Sequence, residues 1–170
     1  RGLTIADFGC GSGCIAVALA KNLFDSKVFA FDISDEALEQ TKANVAHNNV
    51  RVEVIKANMN DALVLKEQFD IIVSNPPYVR ECEKTQMKAN VLDYEPHIAL
   101  FVPNENPLVF YQHIASIAQS SLKTGGKLYL EINEALGEET EVLFKNLGYK
   151  TEIRKDFRDK YRMLFATKEF

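Results

Sequence analysis

The sequence of 170 residues lacks any apolar run close to the roughly eighteen residues that a membrane-spanning helix needs. Its first residues also lack the charged, apolar and small-residue sections of a secretory signal peptide. These two absences argue against a membrane protein and a secreted protein. We therefore expect no association with a membrane and a cytoplasmic location.

Cysteine and histidine are scarce, with three of each. The cysteines are odd in number and include no C-x-x-C pair; they are Cys10, Cys14 and Cys82. Neither a disulfide framework nor a zinc site is therefore predicted. The histidines are scattered without the spacing of metal ligands, and ordinary surface or helix positions explain them. No metal is expected.

A basic excess is also missing, since 20 lysines and arginines face 24 aspartates and glutamates, for a net charge of −4. A domain that binds a phosphate backbone usually carries a basic face, so stable nucleic-acid binding is not expected. One basic cluster, interleaved with Asp156 and Asp159, lies near the end of the chain: Arg154, Lys155, Arg158, Lys160 and Arg162. We interpret it as a solvated turn, with phosphate contact as the alternative.

The residues that are present have the composition of an ordinary globular domain, with 46% hydrophobic and 26% charged residues. No repeat or linker divides the chain, so residues 1–170 are predicted to form a single domain. Strands are predicted over residues 3–8, 27–32, 51–56, 69–74, 126–132, 149–155 and 162–168. Helices are predicted over residues 13–24, 34–48, 107–121 and 135–147, the third stopped by Thr124-Gly125-Gly126.

This alternation predicts an α/β fold with a seven-stranded, mostly parallel sheet and helices on both faces. Only Asp156 to Tyr161 separate the last two strands, too few residues for a parallel crossover. The last strand should therefore run antiparallel. A ligand crevice is expected at the carboxyl ends of the parallel strands.

The loop Gly9-Cys10-Gly11-Ser12-Gly13 follows the first strand and precedes the first helix. Glycines let a backbone turn sharply and approach a ligand, and a helix N-terminus offers free N–H groups. Asp32 ends the second strand about twenty residues later, where a carboxylate can bind both hydroxyls of a ribose. Capping of the next helix is the alternative role for Asp32, although Ser34 and Asp35 can do this themselves. The spacing predicts an adenosine-containing cofactor.

The glycine spacing separates two classes of cofactor. The dinucleotide fingerprint is G-x-G-x-x-G, whereas here Cys14 follows Gly13, giving G-x-G-x-G preceded by Asp7. This variant resembles motif I of the class I methyltransferases, which bind S-adenosylmethionine. The resemblance implies that Asp7 lies near the amino group of that cofactor and Asp32 on its ribose. The predicted cofactor site consists of Asp7, Gly9, Gly11, Gly13, Asp32, Ile33, Asn58, Met59 and Asn75.

The segment Ile71 to Ser74 has the pattern of a buried strand and runs into Asn75-Pro76-Pro77-Tyr78. Proline fixes φ and removes a backbone donor, so this loop is stiff and leaves the Pro76 carbonyl as an acceptor. The Asn75 side-chain oxygen is a second acceptor, and Tyr78 offers a ring face. Two acceptors can bind both protons of a planar NH2 group and turn its lone pair toward an electrophile.

A rigid turn without chemistry is the alternative for this loop. Beside the cofactor pattern, the loop indicates methyl transfer to nitrogen. Asn75, Pro76 and Tyr78 are the predicted catalytic residues, and Pro77 joins them in the predicted substrate site.

Several segments resemble, in order along essentially the whole chain, the signatures of the HemK/PrmC family. They are Asn75 to Val79, Asp93 to Leu100 with its Tyr94-Glu95-Pro96, Phe110-Tyr111, Gly125 to Ile132, and Lys155 to Arg162. The resemblance implies a Rossmann-like class I S-adenosylmethionine-dependent methyltransferase fold. It also implies methyl transfer to N5 of the glutamine in the Gly-Gly-Gln motif of peptide chain release factors, which would be the protein partners. Methyltransferases acting on adenine N6 or guanine N2 of RNA or DNA share the Asn-Pro-Pro-Tyr loop and are the alternative.

The sequence departs from this family at a few positions. Asn58 stands where an Asp is usual, and its amide oxygen can still accept from an adenine amino group. Asn104 to Leu108 replaces a glycine-containing stretch. Members also carry an N-terminal helical domain that helps to engage the release factor, and we expect that domain to be absent from this chain. Glu95, Pro96 and Glu131 are ambiguous between shaping a loop and contacting substrate.

Overall fold

The computed structural model describes residues 2–61, 63, 65–86 and 100–170. The strands are β1 Thr4–Phe8, β2 Lys27–Asp32, β3 Val52–Lys56, β4 Phe69–Ser74, β5 Val79–Arg80, β6 Phe101–Val102, β7 Leu122–Glu131, β8 Tyr149–Lys155 and β9 Tyr161–Lys168. The helices are α1 Cys14–Asn22, α2 Asp35–His47, α3 Val109–Ser121 and α4 Gly137–Asn146. Two 3₁₀ turns cover Glu81–Gln86 and Glu134–Leu136.

Seven strands form one sheet in the order β3-β2-β1-β4-β7-β9-β8. The five strands from β3 to β7 pair in parallel, and β9 runs antiparallel to both of its neighbours. The predicted α/β architecture with a reversed last strand is thereby confirmed. The order changes direction between β1 and β4, and such a switch point is where open parallel sheets form their ligand crevice.

Strand β7 begins at Leu122, four positions before the predicted start at residue 126. Leu122 is buried and pairs with Phe69, and the register then shifts so that Ile71 pairs with Lys127. The prediction that Thr124-Gly125-Gly126 stops the preceding helix is therefore wrong. These residues form an irregularity within β7. The strand begins directly after α3 because Leu122 is buried in the sheet.

A second, two-stranded parallel sheet joins β5 to β6 and was not predicted. Each strand has only two residues, which is too short to show a hydrophobic period in the sequence. The Val79 N–H donates to the Leu100 carbonyl at 2.9 Å at the start of this pairing. The small sheet fixes the chain directly after Tyr78.

The core lies on both faces of the large sheet. Strand β1 points Ile5 to one face, where it packs with Ala16 of α1, and Phe8 to the other. Phe8 stacks on Phe31 with ring centroids 4.6 Å apart, and full burial of such a side chain stabilises the fold by about 1.5–3 kcal/mol. Tyr111 of α3 is fully buried on the same face as Phe8. Burial on both faces is what a parallel sheet with flanking helices requires.

In the described ranges, no helix is both long and apolar enough to cross a membrane. The same ranges contain no group of three or more His, Cys, Asp or Glu side chains placed to bind a metal ion. Cys10 is buried, Cys14 and Cys82 are exposed, and none of the three forms a disulfide bond.

Candidate functional site

The glycine loop, Gly9 to Gly13, carries the chain from the end of β1 into α1. Gly9 and Gly11 have φ values of 71° and 55°, in the left-handed region that other residues rarely adopt. The N–H groups of Gly9 and Cys10 donate to the Phe31 carbonyl at 2.9 and 3.0 Å, which ties the loop to β2. A Cβ on Gly11 would meet no atom within 4 Å. The backbone of Gly11 therefore borders open space.

Asp32 joins the glycine loop to the start of α2. Its Oδ2 accepts from the Gly11 N–H and its Oδ1 from the Ser34 N–H, both at 2.9 Å. Each oxygen keeps a further lone-pair direction, so the carboxylate can still accept from two ribose hydroxyls. Ser34 is the N-cap of α2 and accepts from the Ala37 N–H at 3.2 Å. The capping role considered for Asp32 is thus carried by Ser34.

Gly13 has a packing role. It has a φ of 76° at the start of α1, and a Cβ there would lie 2.7 Å from Thr41 Cγ2 of α2. The Thr41 hydroxyl donates to the Gly11 carbonyl at 2.9 Å. Gly13 is buried in this contact and lies outside the lining of the cleft described below. Close approach of α1 to α2 therefore requires glycine here, and the predicted place of Gly13 in the cofactor site stays a prediction.

Asp7 is almost fully buried, with 1% of its surface exposed. Its Oδ2 accepts from the Ala16 N–H at 3.1 Å, and its Oδ1 has no partner within the described part of the chain. Burial raises the pKa of this carboxyl to about 7, the Ala16 N–H opposes the rise, and the Asp32 charge adds to it. The described residues give this buried carboxyl no counter-ion, so a nearby cation would stabilise its charged form.

A cleft of about 600 Å³ opens at the carboxyl ends of β1, β2, β3 and β4. Eight of its lining residues belong to the predicted site: Gly9, Gly11, Asp32, Ile33, Asn58, Met59, Asn75 and Pro77. Eight others were not predicted: Ser12, Ser34, Glu36, Ala37, Gln40, Ala57, Asn60 and Phe110. The signal that could have found the α2 members is their position in the first turns of a helix that starts directly after Asp32.

The loop after β3 forms one wall of this cleft. The Asn58 Oδ1 accepts from the Asn60 N–H at 3.0 Å, and the Asn58 Nδ2 donates to Asp61 Oδ1 at 3.4 Å. Met59 packs against the main core cluster, and its Cε lies 3.7 Å from where a Gly9 Cβ would be. The Asn58 oxygen retains one lone-pair direction. Its contact with an adenine amino group stays a prediction.

The acceptor loop, Asn75 to Tyr78, begins where β4 ends beside β1. The Ser74 hydroxyl donates to the Phe8 carbonyl at 2.6 Å, so the end of β4 is tied to the strand that carries the glycine loop. Asn75 is exposed and lines the cleft, and no described residue hydrogen-bonds to its side chain. Pro76 is buried and is absent from the cleft lining, and no described residue donates to its carbonyl. Both predicted acceptors are thus unused by the described residues.

Tyr78 is turned toward the end of β7. Its hydroxyl donates to Glu131 Oε1 at 2.5 Å. Burial raises its pKa far above the ordinary value, and the Glu131 carboxylate adds to the rise. Glu131 therefore anchors the loop, which supports the first of its two predicted roles. Tyr78 does not line the cleft, and its predicted contact with substrate stays a prediction.

The basic cluster near the end of the chain lies in the hairpin between β8 and β9, where most of its side chains form ion pairs. Its ion pairs are Arg154–Glu152 at 2.8 Å, Lys155–Asp159 at 3.0 Å and Lys160–Glu134 at 2.7 Å. These pairs agree with a solvated turn and leave phosphate contact without support. The Tyr94-Glu95-Pro96 segment lies outside the described residues.

Comparisons with known proteins extend this picture. The sequence model of the family described as "Methyltransferase small domain" matches residues 1–93, which is more than half of the chain. The chain belongs to the methyltransferase small domain family. A methyltransferase structure from Pyrococcus furiosus superposes with a TM-score of 0.72 and 22% identity, covering 99% of this chain and 76% of that one. The predicted class I methyltransferase fold is confirmed.

Several relatives carry the name release factor glutamine methyltransferase. The protein from Flavobacterium psychrophilum is 47% identical over 165 residues, covering 96% of this chain and 58% of that protein. The protein from Bacteroides thetaiotaomicron is 46% identical over 166 residues, covering 96% of this chain and 60% of that protein. The chain thus spans somewhat less than two thirds of the length of these relatives. Its predicted resemblance to the HemK/PrmC family is confirmed.

Family and fold together imply S-adenosylmethionine as the cofactor, and the residues present fit it. Gly11 has no side chain to fill the open space beside its backbone. The adjacent Asp32 carboxylate keeps lone pairs that can accept further hydrogen bonds. Two residues before the glycine loop, Asp7 has one buried oxygen that no described residue bonds to. Ile33 and Phe110 add apolar surface to the cleft, which suits a flat heterocycle. The cleft therefore offers a carboxylate, a glycine backbone and apolar walls to one adenosine-containing ligand.

Proposed function

We propose that this chain is the catalytic domain, over residues 1–170, of an S-adenosylmethionine-dependent protein-(glutamine-N5) methyltransferase. Its acceptor is the glutamine of the Gly-Gly-Gln motif in peptide chain release factors. The names of the relatives support this choice of acceptor. A release factor is then the protein partner, and the cytoplasm, where translation ends, is the location.

The position of Asn75 carries the proposal. This residue lines the same cleft as Gly9 and Asp32, so a group bound to its side chain lies beside the cofactor site. Its amide oxygen and the Pro76 carbonyl are acceptors that no described residue uses. Two adjacent acceptors without donors suit a primary amide, which brings two N–H protons and no positive charge.

When bound, S-adenosylmethionine supplies an electrophilic methyl group on a sulfonium. The residues of the chain then have three tasks. Asp32 and the glycine loop bind and orient the cofactor in the cleft. Asn75 Oδ1 and the Pro76 carbonyl bind the two protons of the glutamine amide, which orients its nitrogen toward the methyl group. The same two oxygens stabilise the positive charge that develops on that nitrogen.

No strong general base is needed in this site. An amide nitrogen is a weak nucleophile because its lone pair is delocalised, and orientation is the main aid that the protein gives. Once methylated, the nitrogen is acidic enough to lose a proton to water.

The experiment is transfer of labelled methyl from S-adenosylmethionine to four acceptors offered separately. These are a release factor, its Gly-Gly-Gln variant with Gln→Ala, bulk tRNA with rRNA, and DNA. We expect label on the release factor and its disappearance in the Gln→Ala variant. Label on nucleic acid with none on the release factor would replace the proposal by base methylation, which uses the same loop on a flipped base.

A further inference from the structure

The acceptor loop is held mainly by side chains from a distant part of the sequence. Tyr78 is bound at both ends: its hydroxyl donates to Glu131, and its carbonyl accepts from Asn133 Nδ2 at 3.0 Å. Glu131 and Asn133 lie at and just after the end of β7, 53 and 55 residues from Tyr78. The loop geometry therefore depends on how these two side chains are placed.

Asn133 is buried, with 6% of its surface exposed, and all of its amide groups are used. Its Oδ1 accepts from the Ala135 N–H at 2.9 Å. Its Nδ2 donates one proton to the Tyr78 carbonyl and the other to Glu83 Oε2 at 2.9 Å. The amide has one orientation that satisfies all three bonds, so its position is fixed by its surroundings.

Glu83 extends this support to the residues after the loop. It accepts from the Arg80 N–H at 2.9 Å and from the Arg80 guanidinium at 3.1 Å. Burial alone would raise the pKa of Glu83, but the bonds from Arg80 and Asn133 hold it below its ordinary value. One buried amide thus joins Tyr78, Glu83 and, through Glu83, Arg80.

We infer that Asn133 is a positioning residue for methyl transfer, acting through the Tyr78 carbonyl and Glu83 to hold Asn75 and Pro76 in register with the cofactor cleft. This inference rests on the function proposed above. The amide groups of the buried Asn133 are all bonded within the protein, which leaves none of them to bind cofactor or acceptor. A displacement of about 1 Å in a bound reactant can cost on the order of a hundredfold in rate. Loss of the Asn133 amide should therefore appear in kcat.

The test compares Asn133→Ala with Thr140→Val in the full chain. Thr140 is a matched control because it is also buried, and its hydroxyl donates to the Leu136 carbonyl without contact to the acceptor loop. We expect Asn133→Ala to lower kcat for a release factor by about tenfold to a hundredfold, with the Kd for S-adenosylmethionine changed by less than about twofold. Thr140→Val should lose comparable thermal stability and keep its kcat.

Amide hydrogen exchange of residues 79–83 supplies a readout that needs no activity. Exchange at Val79 and Arg80 should accelerate in Asn133→Ala and stay unchanged in Thr140→Val. Glu83→Gln keeps the shape of the support and should show a smaller change of the same kind, which preserves the test if Asn133→Ala fails to fold.

Two failures remain distinguishable. Unchanged kcat and unchanged exchange in Asn133→Ala, with an active parent protein, would overturn the inference alone. A parent protein that transfers no methyl to a release factor would overturn the proposed function. Faster exchange in Asn133→Ala would in that case still support the positioning of the loop by Asn133.

Discussion

The two halves of the carboxyl edge of the sheet are built differently. In the cofactor half, the loop after β1 is held by the neighbouring strand β2, whose Phe31 carbonyl and Asp32 carboxylate accept from its N–H groups. The helix that follows β2 adds a bond from the Thr41 hydroxyl to the Gly11 carbonyl. In the acceptor half, the loop after β4 is held by side chains 53 and 55 residues away. The cofactor half is therefore fixed by the order of parallel strands, whereas the acceptor half depends on the end of β7.

This difference suits the tasks of the two halves. A cofactor is the same in every turnover, so its site can be assembled from backbone N–H groups and one carboxylate. An acceptor must be oriented within a fraction of an ångström, and buried side chains of fixed geometry provide that constraint. We therefore expect changes in one half to leave the other largely intact.

Among variants that keep Asn75, Asp32→Ala should have the largest effect. It removes the proposed ribose ligand and also the acceptor of the Gly11 and Ser34 N–H groups. We expect the Kd for S-adenosylmethionine to rise by about a hundredfold, because two charge-assisted hydrogen bonds to the ligand are lost. Calorimetric titration measures this Kd. Glu39→Gln, an exposed change on α2, is the control. An unchanged Kd in Asp32→Ala would remove Asp32 from the cofactor site.

Asp7 should make the free energy of unfolding depend on pH in the direction opposite to that of an ion-paired aspartate. Its pKa is raised from 3.8 to about 7 in the fold, so the folded protein binds this proton more tightly than the unfolded chain does. The free energy of unfolding should fall as pH rises through this window, by up to about 4 kcal/mol from this one group. Urea unfolding at about pH 4 and about pH 8 should show the decrease relative to Asp7→Asn.

Asp70 provides the opposite case for comparison. Burial alone would raise its pKa, but the bonds from Lys123 and the Thr4 N–H lower it. Its contribution to stability is therefore present above its unfolded pKa and is lost as the solution becomes more acidic. If Asp7→Asn and Asp70→Asn changed the pH dependence in the same direction, the account of Asp7 as an unpaired buried acid would be wrong.

The smallest effect on methyl transfer is expected at the edge of the sheet opposite the cleft. The buried Lys168 Nζ donates to the carbonyls of Gln119 and Leu122 at 2.6 and 2.8 Å, which satisfies the C-terminal end of α3. Lys168→Met should lower the free energy of unfolding by about 1–3 kcal/mol and leave transfer and cofactor binding unchanged. Denaturant unfolding beside a transfer assay measures both; a matching loss of transfer would show that the two edges are coupled.

The cofactor half was largely predictable because its signals are local. Gly9, Gly11 and Asp32 line one cleft, since a glycine loop and an acidic residue at consecutive strand ends must meet at one edge of a parallel sheet. The contact of Gly13 with Thr41, a residue that lies on another helix, was not predicted. Packing between helices leaves no short pattern in a sequence.

The acceptor half was predictable only in its chemistry. Asn75 and Pro76 could be chosen because amide and proline groups have definite hydrogen-bonding capacity. The bonds of Tyr78 to Glu131 and Asn133 could not, because they join positions that only the completed sheet brings together. The early start of β7 was missed for a related reason, since the pairing of Leu122 with Phe69 depends on tertiary burial that overrides the glycines after it.

The most direct test of two separable halves is to measure cofactor binding and methyl transfer side by side in Asn75→Ala, with Asn22→Ala on the exposed face of α1 as control. We expect transfer to a release factor to fall by at least about a hundredfold, because a group that stabilises developing charge is lost. The Kd for S-adenosylmethionine should change by less than about threefold. Equal losses of binding and transfer would contradict this expectation, because Asn75 would then serve the cofactor and not the acceptor.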